Sequence, residues 1–120
     1  MRAPESLHGT RIIAAPSVLD AFPVPEGLDA LRFAPDELFV IGTLIHAGRE
    51  SVIQEDEVGF VGWWLTQEEL ARVRHHVDWP LVAGLNQGLL AGVPAKVWLG
   101  SDRPLLLVAR AYAHELEARL

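Results

Sequence analysis

The obvious metal candidate is His75-His76-Val77-Asp78. Imidazole and carboxylate both bind zinc. Adjacent helix residues point about 100° apart, so His75 and His76 do not face one ion without distortion. His75, His76 and Asp78 therefore stand as metal candidates beside a plainer expectation, that the two histidines are solvated at the C-terminal end of a helix. His114-Glu115 opens like the H-E-x-x-H pattern of zinc proteases, but Ala118 occupies the place of the second histidine. Asp36-Glu37 and Glu55-Asp56-Glu57 supply paired carboxylates. A general-acid pair needs one member raised by burial, and these runs read as solvated turns. No serine sits in G-x-S-x-G, and the glycines around Asn86 form neither G-x-G-x-x-G nor a P-loop. No catalytic residue is assigned. Four tryptophans are the other feature able to do chemistry. Trp63 and Trp64 are adjacent in a strand pattern, so one enters the core while the other meets a helix, a partner or a ligand. Trp63, Trp64, Trp79 and Tyr112 are the ligand or interface candidates, and a pocket near Trp63, Trp79 and the histidines is one expected form of the site.

Composition bounds the rest. The chain has 120 residues, half of them hydrophobic and 22% charged, one domain's worth of globular sequence. The formal charge is −6. An acidic surface argues against nucleic acid and against anionic lipid. The absence of cysteine excludes disulfides, thiol nucleophiles and cysteine-ligated metal. Residues 79–95 are uncharged but interrupted by Pro80, Pro94, Asn86 and Gln87. They read as a buried loop and strand rather than a membrane span. Arg2, Glu5 and Pro16 break up the first apolar stretch, so no secretory signal is expected and the expected location is cytoplasmic.

These side chains must be positioned by local elements. Pro4, Pro16, Pro23, Pro25 and Gly27 predict an irregular N-terminal arm over residues 1–27. Residues 28–120 are then a single domain. A strand is expected at 28–33, a turn at Ala34-Pro35-Asp36-Glu37, and a buried strand from Leu38 through Ile45. His46-Ala47-Gly48-Arg49 turns the chain toward a strand at 51–53, and Asp56-Glu57 marks another turn. Val61, Trp63 and Leu65 alternate as a strand. Thr66 and Glu69 form a capping box, flanked by Leu65 and Leu70, that opens a helix carrying Leu70, Val73 and Val77. Pro80 closes that segment. Residues 96–99 and 105–108 form a strand pair around Gly100-Ser101-Asp102-Arg103-Pro104. A closing helix presents Ala109, Tyr112, Ala113, Leu116 and Leu120 on one face. The order predicts an α+β fold: a mostly antiparallel sheet with two helices packed on it.

Three stretches carry a resemblance. Leu106-Leu107-Val108-Ala109-Arg110-Ala111-Tyr112-Ala113 resembles the closing L-L-V-x-R-S-[FY]-A of the gamma subunit of heterotetrameric sarcosine oxidase. Residues 90–98 resemble that family's apolar strand entry, and Phe33-Ala34-Pro35-Asp36-Glu37-Leu38 resembles its L-G-P-D-E-W. Thr66-Gln67-Glu68 stands where the family has Ser-Gly-Pro, and the match covers about residues 33–120. The resemblance implies a folate-binding-domain-like fold, as in the glycine-cleavage T-protein and the tRNA-modification GTPase. It implies a non-catalytic accessory role, with no cofactor of its own and folate or flavin held by a partner subunit. The other expectation is a stand-alone homodimeric domain that binds a small, folate-like molecule, or a small enzyme using the His/Asp group.

Overall fold

Strands dominate the structure, a computed structural model that describes residues 2–42, 44, 51–100 and 102–120. Among the described residues the strands are β1 (Glu5–Ile13), β2 (Asp29–Ala34), β3 (Glu37–Ile41), β4 (Ile53–Trp64), β5 (Gly84–Leu90), β6 (Val93–Leu99) and β7 (Leu105–Ala109). Three short helices accompany them: α1 (Pro16–Asp20), α2 (Gln67–Arg74) and α3 (Ala113–Arg119), the last entered through a 3-10 turn at Arg110–Tyr112. The β1–β3, β2–β3, β4–β7, β5–β6 and β6–β7 pairings are antiparallel. The class is α+β with a mostly antiparallel sheet. No helix among the described residues is long and apolar enough to cross a membrane.

The chain divides into two units, Leu7–Val58 and Gly59–Leu120 together with Met1–Ser6. The first, N-terminal unit orders its strands β2-β3-β1. Ile12 pairs with Leu38 and Thr10 with Val40. Buried Ile12, Ala14, Leu38 and Val40 gather with Leu19 of α1 and with Phe22. Arg32 ties the polar side of this unit. Its Nη2 donates to the Pro35 carbonyl at 2.6 Å, to Asp20 Oδ1 at 3.0 Å and to the Pro16 carbonyl at 3.2 Å. Its Nε donates to the Ala34 carbonyl at 3.2 Å. One guanidinium thus satisfies the β2–β3 turn and the start of α1 together.

Residues 1–27 are not an irregular arm: they hold the nine-residue β1 and the five-residue α1. The prolines fall between elements or at their starts. Pro4 precedes β1, and Pro16 sits in the first turn of α1, where its fixed φ suits a helix and its missing N–H costs nothing. Nor does a single domain begin at residue 28, since the division falls between Val58 and Gly59. Asp56-Glu57 is the middle of the twelve-residue β4, not a turn. Acids are tolerated there because Glu55 and Asp56 face solvent and Arg11 reaches Glu55 at 3.4 Å as well as Glu37 at 3.0 Å. The Pro35-Asp36 turn is as expected, while the strand from Leu38 forms but ends at Ile41, with Gly42 and Leu44 outside it. Thr43, Ile45, Ser101 and the His46-Ala47-Gly48-Arg49 turn lie outside the described residues.

The C-terminal unit orders its strands β4-β7-β6-β5. One face is apolar at alternate positions: Val61 and Trp63 lie opposite Val108 and Leu106, and Val97 opposite Leu106. Leu70 and Val73 of α2 and Leu116 of α3 pack in the same cluster. The capping box forms as expected. Thr66 Oγ1 accepts from the Glu69 amide at 3.1 Å, and Glu69 Oε1 accepts from the Thr66 amide at 2.9 Å. β5 and β6 are joined by Ala91-Gly92, with φ of 49° and 81°. This is the two-residue turn whose twist matches the strands. The Ala91 amide donates to the His76 carbonyl at 3.4 Å, and Arg119 Nη1 donates to the Ala91 carbonyl at 2.8 Å. The last helix is shorter than its periodicity predicts. Ala109 ends β7 and Tyr112 belongs to the 3-10 turn, while Ala113, Leu116 and Leu120 face the core. Two helices pack on this unit's sheet, and α1 is an additional one in the other unit.

Candidate functional site

The pleat of the C-terminal sheet gives it a second face, opposite the helix-packed one. Cross-strand pairs Phe60–Ala109, Leu107–Lys96, Lys96–Gln87 and Pro94–Leu89 place these side chains on that face. Together with Tyr112 from the 3-10 turn they line a groove of about 440 Å³. Leu107 is fully buried, Phe60 and Ala109 are half-buried, and Leu89 and Tyr112 remain 59% and 41% exposed. Against this apolar lining, Lys96 Nζ donates to Gln87 Oε1 at 2.7 Å. Chemically the groove offers apolar contact area, two aromatic rings (Phe60 and Tyr112) and one cation. Its volume falls in the lower part of the range for small-ligand pockets.

Of the residues expected from sequence, only Tyr112 lines this groove. Trp63 is 1% exposed and belongs to the core, its Nε1 donating to the Arg2 carbonyl at 2.7 Å. Trp64 takes the opposite face, as adjacency in a strand requires. It is half-buried, edge-on to Trp98 with ring centroids 6.4 Å apart, and the Arg103 guanidinium lies 5.8 Å from its ring centre. Trp79 covers the outer strand of the sheet. Its Nε1 donates to the Leu89 carbonyl at 3.1 Å, and a Cβ added at Gly88 would stand 2.7 Å from its ring. Nearby, the Asn86 amide accepts from the Val82 N–H at 2.9 Å and donates to the Val82 carbonyl at 2.8 Å. The segment before β5 is therefore fastened along it.

His75, His76 and Asp78 are exposed just past α2. Among the described residues, no three His, Cys, Asp or Glu side chains come together to hold a metal ion. A clear electrostatic perturbation lies at the helix cap. Glu69 accepts from the Arg2 guanidinium and the Thr66 amide, which together hold its carboxyl down to about 2.

Phe60, Lys96, Gln87 and Leu89 are groove residues that side-chain chemistry did not single out. The available signal was alternation: Gln87 and Leu89, then Pro94 and Lys96, share one face on either side of a tight turn. Comparison with protein-family models, with curated proteins and with solved structures returns no match.

Proposed function

We propose that this chain is a non-catalytic accessory or assembly protein with a folate-binding-domain-like fold. The reading places it in the cytoplasm beside a larger, flavin-bearing oxidoreductase subunit, as the resemblance to the sarcosine oxidase gamma subunit implies. The observation that carries it is apolar exposure around β5: Val82 is 58% exposed and Leu89 59%. Large apolar side chains left in water favour association, because a partner removes their surface from solvent. Val82 is held in place by the two Asn86 hydrogen bonds, so its exposure is built into the fold.

Affinity capture from the native host, with mass spectrometry and sizing, tests the reading. Large flavin-dependent subunits recovered in fixed ratio, and lost with Val82→Asp, are the expected result. Recovery of the bait alone, at monomer mass, would overturn it. A homodimer with no other protein would replace it with the stand-alone, self-associating reading.

A further inference from the structure

We infer that the groove on the C-terminal sheet is a binding site for a small, uncharged aromatic molecule. This goes beyond the accessory role and does not depend on it.

The shape of the groove comes from the sequence of side chains across its strands. The β4-β7-β6-β5 order places Phe60, Ala109, Pro94 and Leu89 across it in turn. Three strand spacings, about 14 Å of backbone, separate the Phe60 strand from the Leu89 strand. Two large side chains thus flank a methyl group and a compact ring, and the row is concave at Ala109. Leu107, fully buried, continues the floor along β7. The 3-10 turn that follows Ala109 brings Tyr112 to the rim, so Phe60 and Tyr112 both present aromatic carbon to the groove. A volume of about 440 Å³ suits a small molecule.

The charges around the groove select against ions of either sign. Lys96 Nζ already donates to Gln87 Oε1 at 2.7 Å, so an anion gains only by displacing an existing contact, and it approaches a protein of formal charge −6. A cation meets the lysine's own charge within the lining. An uncharged body gains by leaving water against the apolar wall and gives up no ionic hydration in doing so. Contact between aromatic rings is worth more than the area it buries, and this separates an aromatic ligand from an aliphatic one of the same size.

The test is calorimetric titration of the full chain with naphthalenemethanol, its saturated counterpart decalinmethanol, naphthoate and naphthylmethylammonium. Naphthalenemethanol is expected to saturate at one equivalent with a Kd at or below about 1 mM. It should bind about threefold to tenfold more tightly than decalinmethanol, the factor that ring contact supplies. Neither ion should bind more tightly than the aromatic alcohol. Ala109→Leu fills the concave point of the floor and should weaken naphthalenemethanol by about tenfold or more, with circular dichroism reporting the fold. Tyr112→Leu, at an exposed position, keeps apolar bulk and should remove most of the preference for the aromatic alcohol while leaving decalinmethanol unchanged. It decides alone where Ala109→Leu does not fold. Val82→Asp, outside the groove lining, should change none of these affinities. No saturable binding in this range, wild-type affinity in a folded Ala109→Leu, equal binding of the two alcohols, or an ion binding about tenfold more tightly than the alcohol would overturn the inference. So would a captured protein partner lost with Tyr112→Leu in the absence of alcohol binding, which would assign the groove to protein contact. Binding of the aromatic alcohol with no captured partner supports the inference and sinks only the accessory role.

Discussion

The two units are both built from antiparallel strands, yet they are held together differently. In the C-terminal unit the sheet buries one face under two helices, and its cluster runs continuously from Val61 and Trp63 through Val97 and Leu106 to Leu116. Among the described residues, the cluster of the N-terminal unit around Ile12, Leu38 and Val40 is smaller. There a single arginine joins the turn carbonyls to α1. Burial is non-directional and grows with area, whereas a polar staple depends on geometry. One unit should therefore depend most on its apolar core, and the other should be more sensitive to the loss of a single polar staple.

The sharpest way to break this contrast is in the larger core. Leu106 is fully buried and opposes both Trp63 and Val97. Leu106→Ala should cost about 2–5 kcal/mol in urea denaturation. A loss below about 1 kcal/mol would mean that the C-terminal cluster does not dominate that unit. Next comes the staple. Arg32→Lys keeps the charge but loses the planar fork, and should cost roughly 1–2 kcal/mol. Hydrogen exchange should show the loss in amides of residues 29–41 and leave residues 84–99 protected. Uniform loss across both stretches would erase the distinction.

The smallest expected effect is at the α2 cap. Thr66→Ala should cost about 1 kcal/mol. The same cap has a pH signature. Glu69 titrates near 2 in the folded protein against 4.5 for the ordinary carboxyl, because Arg2 and the Thr66 amide favour its charged form. Its stabilisation is complete above about pH 4.5 and disappears as the pH falls toward 2. Glu69→Gln should therefore be less stable than the wild type at neutral pH, with the gap closing over that acid window. A gap independent of pH would remove Glu69 from the cap's electrostatics.

What the sequence made legible follows the range of the interaction. The Thr66–Glu69 box, the opposite faces of Trp63 and Trp64, and the Pro35-Asp36 turn are decided by near neighbours, and they stand as expected. β1 was hidden because prolines around it look like breakers, and its partner β3 lies more than twenty residues away. β4 was cut at Asp56-Glu57 because the acids there are placed by solvent and by Arg11, neither visible locally. The groove was illegible for the same reason. Tyr112 could be picked for its chemistry, but Lys96 and Phe60 become neighbours of it only through β4–β7–β6 registry.

The Trp79 indole on the Leu89 carbonyl bears on how this protein would fail. In the tight β5–β6 hairpin Leu90 and Val93 exchange hydrogen bonds, so the backbone groups of Leu89 point away from β6. β5 reads Gly-Leu-Asn-Gln-Gly-Leu-Leu, with neither charge nor proline to discourage a second copy from pairing there. Its protection is the segment pinned by Trp79 and Asn86. Warming that frees this segment before the sheet melts would turn reversible opening into precipitation. The shelf life of the protein would then be governed by the rate at which one indole lets go, rather than by the depth of its core.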